Sequence, residues 1–372
     1  MYIWEHTAWP AFTWDSAQLL ARLGDARHRQ GRFLGQMKRL GFDLQLEAEF
    51  RATVEDVLKS SQIEGELLDL SSVRSSVARR LGLPQGGSGP SDRRVEGVVE
   101  MMLDAMHNHR APLTRERLFG WHGALFPTGY SGLQKIAVGA WRTDHDGPMQ
   151  VVSGPVGRQK VHFQAPPADQ VAQEMERFLA WFNDTPAMDG LVRSAIAHLW
   201  FVTIHPFEDG NGRMARAVAD LAIAQMEGSG QRFYSMSARI QRERARYYEM
   251  LERTQKSSLD VTLWLAWFLE CFGRAIDDAE ADSTGVLRKA DFWRRAAHEP
   301  LSARQKDVLN RFLDGFEGNL TARKWASLAR CSVDTAQRDI NDLLARNLLI
   351  RNPGGSRRTS YRLAGFEPDA GT

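Results

Sequence analysis

His205-Pro206-Phe207-Glu208-Asp209-Gly210-Asn211-Gly212-Arg213 is the stretch on which the reading of this chain turns. Before it, Leu191, Val192, Ala195, Ile196 and Leu199 recur at the spacing of one helix face. After it, Ala217, Val218, Leu221 and Ala222 do the same within Met214 to Met226. The spacing predicts a loop held between two helices. Gly210 and Gly212 lack Cβ, so the backbone can take positive φ and approach a ligand closely. Asn211 between them tolerates left-handed geometry and offers an amide donor. The helix that begins after the loop directs free N–H groups and the positive end of its dipole at an anion. Arg213 and Arg216 add forked, permanently charged donors that suit phosphate oxygens. Together these form a cradle for more than one phosphate.

Two residues turn the cradle into a site for chemistry. Asp209 is a hard oxygen ligand beside it, and one carboxylate plus phosphate oxygens is the usual way Mg²⁺ is held. His205, with an ordinary pKa of about 6.5, is largely neutral near pH 7 and can accept a proton from a hydroxyl. The reaction class that fits is in-line displacement at phosphorus, with cradle and Mg²⁺ stabilising charge. Phe207 reads as a core anchor.

Working outward, four segments separate: residues 1–90, a helical region opening with Trp4, Trp9, Phe12 and Trp14; 91–275, which holds the chemistry; 276–302, a charged connector; and 303–366. Leu83 to Pro90 is a loop by composition. Within the second segment, Met149 to Gly154 and Lys160 to Phe163 flank a Gly/Pro turn and read as a hairpin. In the fourth, Thr321 to Ala329 and Val333 to Arg346 read as helices joined by a tight turn. Leu348 to Ile350 and Thr359 to Leu363 then bracket Asn352-Pro353-Gly354-Gly355. Helix-turn-helix followed by a hairpin is the layout of a winged helix. The expected fold is mainly α, with two small hairpins.

The bulk numbers bound the rest. Of 372 residues, 43% are hydrophobic, enough for a sizeable core, and a net charge of +2 says nothing about partners for the whole chain. Cys271 and Cys331 lie far apart, which excludes a disulfide framework or a Cys-rich zinc module and suits a reducing, cytoplasmic compartment. No signal peptide is read at the start, and runs such as Val261 to Leu269 are too short to span a bilayer, so no membrane partner is expected. Aromatics near Trp4 and Trp14 would suit a homodimer surface.

The central string resembles the signature of the Fic family, His-x-Phe-x-(Asp/Glu)-Gly-Asn-Gly-Arg-x-x-Arg, matched at every fixed position from His205 to Arg216. The resemblance extends over roughly Asp92 to Phe272. Gly139-Ala140-Trp141-Arg142 looks like the segment before the family's hairpin flap, and Val161-His162-Phe163-Gln164-Ala165-Pro166-Pro167 like its second strand and exit. The resemblance implies a Fic-fold helical bundle with a β-hairpin flap that moves AMP from ATP onto Ser, Thr or Tyr hydroxyls of target proteins and of itself. His205 would be the base. Asp209 would hold Mg²⁺ between the α- and β-phosphates. Gly210, Asn211 and Gly212 would anchor phosphates, Asn211 at the α-phosphate, and Arg213 and Arg216 would bind the β- and γ-phosphates. Val161, His162 and Phe163 on the flap, with Tyr247, Tyr248 and Gln255, would contact ATP. The flap would align the target as an added strand. The family's kinase branch carries Lys where Gly212 stands, so Gly212 favours AMP as the transferred group.

Ser60-Ser61-Gln62-Ile63-Glu64-Gly65 is the second informative string. Phe50, Val54, Val57 and Leu58 give helical spacing, and Gly65 suits the residue just past a helix end. A glutamate there opposes the helix dipole, which suggests that Glu64 has a cationic partner elsewhere. The string also resembles the Fic inhibitory motif, (Ser/Thr)-x-x-x-Glu-(Gly/Asn), with Ser60 and Glu64 in place. By that resemblance Glu64 pairs with Arg216 and occupies space needed by the γ-phosphate. The C-terminal module offers Arg338, Arg346, Arg351, Arg357 and Arg358 for DNA, while Asp334, Asp339 and Asp342 dilute the positive face and leave protein docking as the other reading. Two further functions stand beside the transferase: a de-AMPylase or bifunctional enzyme in which Glu64 positions a water, and a DNA-binding regulator whose Fic fold only senses nucleotide.

Overall fold

The computed structural model describes residues 1–83, 92–145, 147–154, 158–184, 188–313, 320–353 and 359–364. The loop expected around Pro84 to Pro90 and wing residues Arg357 and Arg358 lie outside the described residues. A short helical turn, Ile3–Glu5, precedes α1 (Ser16–Met37), α2 (Phe42–Ile63), α3 (Leu70–Arg80), α4 (Arg93–His107) and α5 (Arg115–Leu125). Then come β1 (Tyr130–Ser131), β2 (Gln134–Lys135), β3 (Gln150–Ser153) and β4 (Lys160–Gln164). They are followed by α6 (Ala168–Asn183), α7 (Gly190–Ile204), α8 (Asn211–Glu227), α9 (Met236–Arg242), α10 (Arg244–Gln255) and α11 (Thr262–Arg295). The chain continues through α12 (Ala303–Leu313), α13 (Ala322–Ala329), α14 (Val333–Ala345), β5 (Leu349–Arg351) and β6 (Tyr361–Leu363). The fold is mainly helical. Among the described residues there are three two-stranded antiparallel sheets, one more than the sequence predicts. The extra pair, β1–β2, has two residues per strand, too few for alternation to show.

The chain divides into two compact units, Met1–Lys38 with Gln45–Glu280, and Arg39–Leu44 with Ala281–Thr372. The centre of the first is α7, whose side chains from Leu191 to Ile204 are all buried. A helix buried around its whole circumference belongs in a core, and its few polar side chains, Arg193, Ser194, His198 and Thr203, are hydrogen-bonded there. Its N-terminus is capped by Asp189, whose side chain accepts from Leu191 N at 2.8 Å. α8 packs along α7, and its buried face is rich in alanine (Ala215, Ala217, Ala219, Ala222, Ala224), which lets the two backbones approach closely. The approach is close enough for Ser194 Oγ to donate to Ala219 O at 2.9 Å. α4 covers α8, and Trp264 of α11 donates its indole N–H to Ala195 O at 2.8 Å. The turn from α7 into α8 therefore sits at one end of the most extensively packed helix pair in the unit.

The N-terminal aromatics make contacts within the chain. Trp4 donates to Gln164 O (2.7 Å), Trp9 donates to Glu174 Oε2 (2.8 Å), and Trp9 and Phe12 meet Trp200 edge-on; Trp14 is half-buried. In the second unit, Trp325, Ile340, Leu343, Leu349 and Tyr361 share a small core. α13 ends at Arg330 with φ 49°, and Ser332 caps α14 by accepting from Thr335 N at 3.2 Å. β5 and β6 pair Leu349 with Leu363 and Arg351 with Tyr361. The residues read as a connector are helical as far as Arg295.

Candidate active site

α7 ends at His205, whose backbone is left-handed (φ 53°). That is a conformation histidine tolerates better than most side chains, and it swings the chain into the loop. Nδ1 of His205 lies 3.1 Å from Val202 O. A carbonyl only accepts, so Nδ1 carries the proton and Nε2 keeps its lone pair. Burial pushes the His205 pKa below its usual value, against the pull of the Val202 hydrogen bond. The ring is thus a neutral base near pH 7. Arg142 fixes the backbone beneath it: its Nε donates to His205 O (2.7 Å) and its N to Pro206 O (2.9 Å). Its remaining nitrogens reach Pro166 O and Asp144 Oδ1, so one buried side chain ties the base to the exit of β4. Sequence reasoning named Arg142 only as part of a segment; nothing in a lone arginine signals burial.

Phe207 is fully buried and stacks on His122, with ring centroids 4.2 Å apart. His122 accepts from Gly139 N at Nδ1 and donates from Nε2 to Asp209 O, both at 3.2 Å. Burial pushes its pKa down to about 4, which keeps that tautomer. Asn211 corrects the sequence reading. Its Oδ1 accepts from Phe207 N (3.0 Å) and its Nδ2 donates to Phe207 O (2.7 Å), so both ends of the amide pin the loop. What Asn211 offers a ligand is its backbone N–H, one of the first-turn donors of α8 that lack helical acceptors. Asp209 is half-buried, with Oδ1 accepting from Gly210 N at 2.5 Å and Oδ2 from Ser131 Oγ. Gly210 has φ 83°, and a Cβ there would lie 2.9 Å from Phe126 Cε2.

The end of α2 meets the start of α8 at the arginines. Arg216 donates from Nε to Ser60 Oγ (2.9 Å), from one terminal nitrogen to Ser60 O (2.8 Å) and from the other to Glu64 Oε1 (2.8 Å). Burial opposes its charge, and Glu64 overcomes that cost, leaving its pKa above the usual value. The Glu64 carboxylate also lies over Gly212, where a Cβ would come within 2.1 Å of Oε1. Arg213 donates to Glu66 Oε2 at 2.5 Å and lies over the Phe126 ring.

The predicted nucleoside contacts divide. Val161 is part-exposed on the flap, opposite Val152. His162 donates from Nδ1 to Glu252 Oε2 (2.7 Å), and its Nε2 meets Ser153 Oγ at 2.6 Å. Bonds from Lys256 and His162 hold the Glu252 carboxyl near a pKa of about 2. Tyr248 is half-buried and donates to Ile63 O at 3.3 Å. The other three are committed to the core. Phe163, which strand alternation turns inward, packs edge-on against Tyr2; Tyr247 bonds His198 Nε2 at 2.9 Å; and Gln255 donates to Thr203 Oγ1 at 3.2 Å.

A helical domain that presents a neutral base, a lone carboxylate and two arginines at a helix N-terminus has the groups that phosphate chemistry requires. Residues 112–223 match the profile of the Fic/DOC family, and residues 2–83 that of a domain of unknown function, DUF4172. The chain carries a Fic domain. It is 46% identical to the protein adenylyltransferase fic-1 of Caenorhabditis briggsae over 57 residues, 15% of this chain and 11% of that one. It is 32% identical to the protein adenylyltransferase Fic of Nematostella vectensis over 122 residues, 32% of this chain and 27% of that one. It is also 29% identical to a uridine 5'-monophosphate transferase of Xanthomonas campestris pv. campestris over 134 residues, 30% of this chain and 21% of that one. The chain thus spans between 11% and 27% of these relatives' lengths. A Fic family protein from Desulfovibrio desulfuricans has the same fold, with TM-score 0.58 and 21% identity, covering 96% of this chain and 99% of that one.

Proposed function

We propose that this chain transfers AMP from ATP to Ser, Thr or Tyr hydroxyls of target proteins and of itself, and that it rests inhibited by Glu64. The observation that carries the proposal is a neutral His205, whose Nε2 has no partner among the described residues, beside a two-arginine cradle closed by a carboxylate from α2. Nε2 of His205 takes the hydroxyl proton. The hydroxyl oxygen bonds the α-phosphorus as the bond to the bridging oxygen breaks, and pyrophosphate leaves. First-turn N–H groups of α8 hold the α-phosphate, with Arg213 and Arg216 on the β- and γ-phosphates once Glu64 withdraws.

Among the described residues no group of three or more His, Cys, Asp or Glu is placed to hold a metal. Asp209 alone fits Mg²⁺, which takes one carboxylate and completes its shell with nucleotide oxygens and water. Bound there, Mg²⁺ would neutralise phosphate charge. The exposed edge of the flap, with Val152 and Val161 on one face, supports docking of the target as an added strand. No helix among the described residues is long and apolar enough to cross a membrane. A cytoplasmic site of action, supported by two free cysteines, belongs to the same proposal.

Incubation of the Glu64→Gly variant with α-labelled ATP, γ-labelled ATP and α-labelled UTP tests this. Protein labelled from α-labelled ATP alone is expected. Label from γ-labelled ATP would overturn AMP transfer in favour of phosphoryl transfer, and label from UTP alone would move the nucleotide to UMP.

A second reading, added to the first, is that residues 303–366 form a winged helix that binds duplex DNA. Between residues 321 and 363 the sequence has nine Arg and Lys against three Asp. One of those acids does not dilute the face as the sequence suggested. Asp339 turns inward to Arg304 (2.7 Å) and Trp325, and Asp342 pairs with Arg346 and Gln305. Arg346 also bonds Glu299 at 2.7 Å, which removes it from the expected contact set. Among the described residues, Arg323, Arg330, Arg338 and Arg351 are exposed and form no ion pair. Retardation of a DNA fragment by the full chain should fall with salt, and Arg338→Ala or Arg351→Ala should each reduce the salt slope by about one. No retardation at low salt would favour a protein partner instead.

A further inference from the structure

The inhibitory string contains one acid, yet the structure brings two to the cradle. α2 ends in a Schellman turn: Gly65 is left-handed (φ 85°), its N–H donates to Gln62 O at 3.1 Å, and Glu66 N–H donates to Ser61 O at 3.0 Å. The turn folds the chain so that Glu64, before the glycine, and Glu66, after it, both reach α8. Their partners, Arg216 and Arg213, stand three residues apart on the same helix face. Arg216 pairs with Glu64 at 2.8 Å and Arg213 with Glu66 at 2.5 Å. Among the described residues neither arginine has another carboxylate. The Arg213 side chain is only 6% exposed, whereas Glu66 is 29% exposed. The cation is therefore sequestered and the acid over it is accessible at the rim.

A carboxylate oxygen on a guanidinium makes the same charge-assisted bond that a phosphate oxygen would make. We propose that Glu64-Gly65-Glu66 is an internal mimic of a diphosphate and that Glu66 is a second inhibitory residue, setting how many phosphates the resting site admits. This rests on the phosphate-cradle reading above. With both arginines neutralised, the site keeps the first-turn N–H groups of α8, which serve one phosphate. It has no cation left for a second or third. The resting site therefore favours a nucleoside monophosphate and holds pyrophosphate and the β- and γ-phosphates of ATP only weakly. The two acids act differently. Glu64 blocks by volume over Gly212 as well as by charge, while Glu66 acts by charge on Arg213.

The test is equilibrium binding of magnesium pyrophosphate and of AMP to the full chain and to Glu66→Gln, Glu64→Gly and the double variant, with thermal melting as the folding control. Glu66→Gln should bind pyrophosphate roughly tenfold more tightly, the worth of one charge-assisted bond. AMP affinity should not change. The double variant should bind pyrophosphate more tightly than Glu64→Gly. Unchanged pyrophosphate binding in folded Glu66→Gln, with the double variant equal to Glu64→Gly, overturns the role of Glu66 alone. Absence of binding by both ligands in every variant overturns it together with the cradle reading.

Discussion

Replacing Glu64 by glycine removes the carboxylate that Arg216 reaches at 2.8 Å and clears the space over Gly212. A hydrogen bond to a charged group is worth about 1.5–3 kcal/mol net, and about 1.4 kcal/mol is tenfold in an equilibrium. The open, ATP-competent form should therefore gain about tenfold to a hundredfold in population. The initial rate of self-labelling from α-labelled ATP should rise by the same ratio. Folding should suffer less, because Arg216 keeps both of its bonds to Ser60. The melting temperature should fall by a few degrees, roughly what about 1 kcal/mol costs a domain of this size. Glu64→Gln keeps the volume over Gly212 and loses the charge, so its rate should lie between those of the parent and Glu64→Gly. Equal labelling by the parent and Glu64→Gly would refute the reasoning, since the bond would then not be what holds the site closed.

Three further outcomes follow from the geometry. Gly212→Ala puts a Cβ 2.1 Å from Glu64 Oε1 and should cost about 1–3 kcal/mol in urea unfolding, a cost that should vanish in the Glu64→Gly background. A cost that persists there would place the clash elsewhere. His205→Ala should lower AMP transfer by at least about a hundredfold while leaving ATP affinity within a small factor, as expected for loss of a general base. Transfer that survives the change would remove His205 from the chemistry. The third concerns pH. His122 falls from its usual 6.5 to about 4 on folding, so between those values the unfolded chain binds more protons and stability drops as pH falls. Asp220, pushed up to about 7 mainly by burial and Asp56, acts with the opposite sign, so the parent alone is not diagnostic. The parent should lose about 2 kcal/mol more than His122→Phe between pH 7 and pH 5, read from urea midpoints. Parallel pH curves for the two proteins would show that His122 is not held neutral.

The loop could be read from the chain because its chemistry is local. Two glycines around Asn211, a histidine at one end and arginines spaced along the next helix need only adjacency in sequence to define a cradle. The helices on either side follow from apolar spacing, and the alanines of α8 already imply that it packs closely. Glu64 was legible as a carboxylate in need of a cation, because a helix C-terminus disfavours it.

Partnership was not legible, because it depends on which surfaces the fold closes. Asn211 looks like a phosphate donor until Phe207 is seen to take both ends of its amide. Phe163, Tyr247 and Gln255 look like a nucleotide pocket until burial commits them to the core. Asp339 looks like diluting charge until it turns inward on Arg304 and Trp325. The clamp of Arg142 on His205 and the bond of Glu66 to Arg213 gave no signal, since they join residues 63 and 147 positions apart. By itself, then, the sequence determined a mainly helical protein with a phosphate-binding loop, a base and an acid in search of a partner. The tertiary structure alone decided which donors remain free for a ligand and how many carboxylates stand in the ligand's place. The physical reason is that a buried charge or amide must be satisfied by whatever packing brings within about 3 Å, and packing is a property of the whole fold.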